Sequence, residues 1–156
     1  MDESDRKFSA FTKEDCRKLQ VIQNKVLRLK IKTGIYEMNT PTSILLDAAQ
    51  DLSVHQQGAL HTVLLVFKLV TRKKPAYLAR KFRLKLADAE HIFPNRQENT
   101  IQVKSSKLSI SRSGFVYRGG KIWNQLPKSL RSEKKLSVFK RLVKKWVTEN
   151  IPKKPP

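Results

Sequence analysis

Apolar positions fall three or four residues apart over most of this chain, and that spacing predicts helices. Across residues 13–32, Cys16, Leu19, Ile22, Val26 and Leu29 form the apolar stripe of an amphipathic helix that stops near Gly34. Glu14 and Asp15 stand in its first turn and Lys30 and Lys32 in its last, which suits the helix dipole. Thr40 as N-cap and Pro41 as first helical residue predict a second, shorter helix reaching Ala49. Ser53 and Gln56 then have the spacing of a capping box. The residues after them, Leu60, Val63, Leu64, Leu65, Val66, Phe67, Leu69 and Val70, are apolar around nearly the whole circumference, as a central buried helix requires. Arg72, Lys73, Lys74 and Pro75 end it, and residues 75–82 restart as a short helix with Tyr77, Leu78 and Phe82 inward.

The helical period fades over residues 88–112. Ile101 with Val103 and Leu108 with Ile110 alternate as short strands do, so a small hairpin or an ordered loop is expected there. Beyond it, Phe115, Gly119, Ile122 and Leu126 return to helical spacing, with Ser113 placed as N-cap and Pro127 as stop. Phe139, Leu142, Val143, Trp146 and Val147 repeat the pattern with Lys140, Arg141, Lys144 and Lys145 between them, giving one oily and one cationic face. The expected fold is mainly α: a small helical bundle with a short β-hairpin or ordered loop between two helical lobes. Its divisions are a flexible acidic N-terminus over 1–12, a helical lobe over 13–87, a connector or hairpin over 88–112, a basic helical unit over 113–150 and a flexible tail over 151–156.

Charge sharpens this picture. The 156 residues carry 33 Lys and Arg against 13 Asp and Glu, a formal net charge of +20. Nearly all of the excess lies beyond residue 60, which favours a specific basic face over general solubility and makes a polyanion the natural partner. The single cysteine, Cys16, excludes an intrachain disulfide and fits a reducing compartment. The acidic opening, Met1 to Asp5, lacks the cationic region of a signal peptide, and the apolar run 63–70 is broken by Lys68 and too short to span a bilayer. A soluble intracellular protein of the nucleus or cytoplasm is expected.

Candidate chemistry is sparse. His55, His61 and His91 lack metal-site spacing, Asp47 and Asp51 lack a third carboxylate or a phosphate loop, and no nucleophile is paired with a base, so neither catalysis nor a metal or other cofactor is expected. Tyr117 with Arg118 has two readings that the residues leave open: a combined base-stacking and phosphate contact beside Gly119 and Gly120, or a glycine pair that lets helices pack tightly. Arg112, Lys121, Lys128 and Arg131 extend the same basic surface, and Lys140, Arg141, Lys144 and Lys145 complete the candidate nucleic-acid contacts. Helical spacing assigns Trp123 to the core rather than to a nucleobase, and puts Trp146, flanked by Lys144 and Lys145, half in solvent.

The order of Phe115, Tyr117, Arg118 and Gly119, then Trp123, Asn124, Gln125, Leu126 and Pro127, then Leu130 and Arg131, then Leu136, Val138, Phe139 and Lys140 resembles the C-terminal end of reverse transcriptases from non-LTR retrotransposons, beyond the catalytic palm. The resemblance continues upstream in Leu19 to Arg28, in Thr40 and Pro41 followed by Leu45 and Leu46, in Leu52 to Val54, and in Lys74 to Leu78, so it covers about residues 16 to 147 in family order. Two departures stand out. The family usually carries a small residue such as Ala where Gly120 stands, a change that loosens the helix by roughly 1 kcal/mol. No Asp-Asp pair occurs, so the family's polymerase chemistry has no residue here to rest on.

The resemblance implies a non-catalytic, thumb and post-thumb fragment that contacts template-primer, element RNA or target DNA by neutralising phosphates. A different reading makes the near-neutral N-terminal half a docking module for a reverse transcriptase palm domain or for a second copy. A membrane surface is the least favoured partner.

Overall fold

The structure, a computed structural model, describes residues 13–31, 40–82, 99–103 and 114–153. The expected hairpin partner Leu108 with Ile110, the cap Ser113, the candidate Arg112 and the stop at Gly34 lie outside these residues, as does the acidic N-terminus. The described fold is mainly helical: α1 (Lys13–Ile31), α2 (Thr42–Ala49), α3 (Val54–Arg72), α4 (Ala76–Ala79), α5 (Phe115–Gln125), α6 (Lys128–Arg131) and α7 (Leu136–Asn150). No strand occurs among the described residues, although Ile101 makes an isolated bridge.

The capping box forms as the spacing predicts: Gln56 N donates to Ser53 Oγ and Ser53 N donates to Gln56 Oε1, each at 3.2 Å. Both groups are buried, and Gln56 has a further task. Its Nε2 donates to Ile151 O at 2.8 Å, tying the start of α3 to the end of α7. Farther along, the Phe67 and Phe139 rings stack with centroids 4.1 Å apart. The early end of α3 thus meets the late end of α7 while their other halves meet ring to ring, so the two helices run antiparallel.

That pairing places α3 at the centre. Leu60, Val63, Val66 and Phe67 of α3 join Ile122 and Trp123 of α5 and Phe139, Val143 and Val147 of α7 in one core cluster. Leu27, Leu45 and Leu46 form a second, smaller cluster between α1 and α2. The larger cluster draws its residues from Leu52 to Ile151 and the smaller one from α1 and α2. α3 needs partners on several sides because its apolar residues encircle it, and α5 and α7 supply them.

Several local expectations are corrected. Pro41, not Thr40, is the N-cap of α2: its ψ of 140° keeps it outside the helix while its carbonyl accepts from Ile44 N and Leu45 N. Gly114 takes the N-cap position of α5. Tyr77 points outward with 71 % exposure, whereas Leu78 and Phe82 do pack inward. Leu142 is exposed too, because the seam against α3 is filled by Phe139, Val143 and Val147. The start of the expected flexible tail is anchored: Ile151 is buried and Lys153 Nζ pairs with Asp47 Oδ1.

The largest departure concerns α1. Of its predicted apolar stripe only Cys16 is buried; Ile22, Val26 and Leu29 are 58 %, 56 % and 78 % exposed and Leu19 is also open. The inward face instead carries Gln20, Gln23, Asn24 and Leu27. Val54 N donates to Gln20 Oε1 at 3.0 Å, Gln23 Nε2 donates to Leu52 O at 2.8 Å, and Asn24 Nδ2 donates to Thr42 Oγ1 at 2.8 Å. The first amide of α3 has no partner within its own helix, and Gln20 supplies one.

Candidate nucleic-acid interface

Trp123 and Asn124 show how α5 is fixed. Trp123 is fully buried, as its spacing predicts, and its Nε1 donates to Asn99 O at 2.9 Å. Asn124 accepts from Ile101 N at 2.8 Å through Oδ1 and donates to Ile101 O at 2.9 Å through Nδ2, so its amide substitutes for a strand neighbour along residues 99–103. The same segment explains Gly120. A Cβ there would stand 2.6 Å from Val103 Cγ2, and one at Gly119 would stand 2.9 Å from Val66 Cγ2. Both glycines therefore allow close packing, of α5 on α3 at Gly119 and on residues 99–103 at Gly120.

With Gly119, Gly120, Ile122 and Trp123 facing in, Tyr117, Arg118 and Lys121 share the outer side of α5. None is sealed inside; all three are half-buried. The Lys121 ammonium lies 5.3 Å from the Tyr117 ring centroid, so one ring face already has a cation over it. Arg118 Nε is shut off from solvent with no hydrogen-bond partner among the described residues. Burial lowers its pKa, yet an arginine stays charged at any pH the fold meets.

On α6, Leu130 is buried while Lys128 is exposed and Arg131 half-buried, its pKa lowered by desolvation. Between α6 and α7, Glu133 Oε1 accepts from Lys134 N and Lys135 N at 2.8 Å each, and those two amides hold its carboxyl below the usual carboxylate range. On α7 the four candidates Lys140, Arg141, Lys144 and Lys145 are all exposed. They span an arc of about 140° at helical spacing, directed away from Phe139, Val143 and Val147. The acidic residue on this helix is Glu149, 4.0 Å from Lys145. Trp146 is half-buried beside the core, as expected. Among the described residues no hydrogen bond, ion pair or ring contact joins the α7 cations to Tyr117 or Arg118, so the candidates form groups on separate helices around one core.

A further basic group was not among the candidates. Lys68, Arg72, Lys73, Lys74, Arg80 and Lys81 are exposed around the end of α3 and the turn of α4. The available signal was the complete absence of Asp and Glu from Leu52 to Ala87. Phe82 sets this corner beside α5: its ring meets Phe115 edge-on at 5.6 Å and would lie 3.4 Å from a Cβ at Gly119.

Among the described residues no three His, Cys, Asp or Glu side chains gather where a metal could be held, and no helix is long and apolar enough to cross a membrane. Compared with protein-family models, curated proteins and solved structures, the chain matches none.

Proposed function

We propose that this protein is a non-catalytic nucleic-acid-binding module, in keeping with its resemblance to the C-terminal region of non-LTR retrotransposon reverse transcriptases, and that it holds RNA or DNA by neutralising phosphates. The observation that carries the reading is α7: four exposed cations on one side of a helix whose other side is locked into the core. A rigid row of charges displaces condensed counterions without first having to be ordered. Lys121, Lys128 and Arg131, with Tyr117 and Arg118, add contacts that position the strand while chemistry is supplied elsewhere.

Fluorescence anisotropy against salt tests it. Neutralising about five phosphates on duplex DNA makes log affinity fall with log salt at a slope of about −4.5, and a flat response rejects the mechanism. Replacing Lys140 and Lys144 together by Gln lowers that slope by about 1.8.

The exposed stripe of α1 favours a second reading, docking on a protein. Lys18, Lys25 and Lys30 flank Leu19, Ile22, Val26 and Leu29, so the fitting occupant is an apolar groove rimmed by carboxylates. The palm of the resembled polymerase would have to offer such a surface. A net charge of +20 opposes a second copy. The expected result is a monomer in sedimentation at every concentration, together with binding of a helical Leu/Glu peptide that Ile22→Lys abolishes. Concentration-dependent dimerisation, or no peptide binding, counts against this assignment.

A further inference from the structure

Tyr77 is the most exposed aromatic ring among the described residues, and it is held on a well-anchored turn. Pro75 O accepts from Leu78 N and Ala79 N, Arg80 N donates to Ala76 O, and Lys81 and Phe82 N close onto Leu78 O and Ala79 O, all within 3.0–3.2 Å. Below the turn, Leu78, Ala79 and Phe82 pack against the core. Arg80 and Lys81 follow Tyr77 by three and four residues, in the turn that ends α4, and both are exposed. Lys68, Arg72, Lys73 and Lys74 approach from the end of α3. None of these six cations pairs with a carboxylate of the described residues.

A tyrosine in this position gains little from burial, and its hydroxyl needs none. What it does offer is an exposed aromatic ring on a hydrogen-bonded turn, among exposed cations. Tyr117, the stacking candidate on α5, is half-buried with Lys121 over its ring. Among the described residues no cation lies over the Tyr77 ring.

We infer that the Tyr77 corner, with Arg80, Lys81, Lys73 and Lys74, is a binding site for unpaired nucleotides, in which a base stacks on the ring and its flanking phosphates meet the cations. This deepens the polyanion reading and rests on it. A duplex hides every base face but the terminal ones in its stack, so the corner discriminates single strands from duplex, which the α7 row alone does not. RNA and DNA share the chemistry of stacking and phosphate contact, and paired oligo-uridylate and oligo-thymidylate probes tell them apart.

The test compares the whole chain with Tyr77→Ala and Tyr77→Phe in anisotropy titrations against a short oligo-uridylate, the matching oligo-thymidylate and a long blunt-ended duplex without unpaired nucleotides, with circular dichroism to verify the fold. Removing one stacked base contact weakens single-strand binding about tenfold in Tyr77→Ala. Duplex affinity and salt slope stay as they were, and Tyr77→Phe keeps wild-type affinity. Replacing Arg80 and Lys81 together by Gln lowers the single-strand salt slope by about 1.4. If the wild-type protein binds with the expected slope but Tyr77→Ala binds single strands equally well, or loses single strand and duplex alike, the stacking site is overturned and the polyanion reading stands. If the wild-type protein binds none of the probes, both fall.

Discussion

Helices α1 and α7 look alike as strings of apolar and charged residues, yet the fold seats them in opposite senses. α7 buries Phe139, Val143 and Val147 and turns its cations to water, whereas α1 turns Gln20, Gln23 and Asn24 inward and leaves Ile22, Val26 and Leu29 outside. The reason lies in what each helix meets. α7 runs along the apolar flank of α3, where ring stacking and aliphatic packing are available. α1 meets α3 at its N-terminal end, where the Val54 amide and the Leu52 carbonyl need partners. A buried donor or acceptor left unpaired costs about 1–3 kcal/mol. Burying an aliphatic side chain contributes roughly 1.5–3 kcal/mol. The two demands are of the same size, so the local surface decides between them, and an apolar stripe does not by itself say which way a helix faces.

The largest break in this comparison comes from the α7 seam. Phe139→Ala removes the ring stacked on Phe67 and should destabilise the fold by about 3–5 kcal/mol in urea unfolding. Gln56→Ala comes next: it deprives Ser53 N and Ile151 O of partners and should cost about 2–3 kcal/mol by the same measurement. Gly120→Ala sets a gain of about 1 kcal/mol in helix propensity against overpacking of about 1–3 kcal/mol on Val103. A net loss is expected, and adding Val103→Ala should recover the clash part of it.

A pH arm probes the α3 end on which α1 sits. His55 is buried there, and desolvation lowers its pKa, so the unfolded chain takes up a proton more readily than the folded one. The stabilising effect is complete above the unfolded value of about 6.5 and is lost as pH falls towards the folded value, at no more than about 1.4 kcal/mol per pH unit. Urea midpoints should therefore decline below that pH in the wild-type protein and flatten in His55→Gln. The smallest effect belongs to the exposed stripe: Ile22→Lys should change stability by less than about 0.5 kcal/mol, because that side chain already faces water. A loss comparable to that of Phe139→Ala would mean that the α1 face is covered and would erase the contrast.

Much of the fold was legible along the chain. The Ser53 and Gln56 box is a local bond pattern, and both of its hydrogen bonds form. Trp123 is buried, and α3 sits at the centre as its encircling apolar residues require. The misses share a physical cause. Pro41 and Gly114 displaced the expected caps by one residue because the backbone ψ before the first turn, which no side chain announces, decides where a helix begins. Tyr77 faces water because Leu78 and Phe82 already take the inward side of their short turn. The basic corner around it was written in an acid-free run, but runs of lysine and arginine are common on solvated surfaces. The seating of Phe82 against Phe115 and of Val66 against Gly119 shows that this run lies beside α5.

The sequence alone determined the helices, the strength of the charge and the lack of carboxylates through the middle of the chain, since each follows from side-chain spacing and from composition. The tertiary structure decided which faces turn inward, that Asn124 stands in for a strand beside residues 99–103, and that Gly120 must stay small beside Val103. Those outcomes depend on which surfaces meet, and residues far apart in the chain settle that together: the same stripe of leucine and valine packs where it finds an apolar neighbour and stays in water where the neighbour is an unpaired amide.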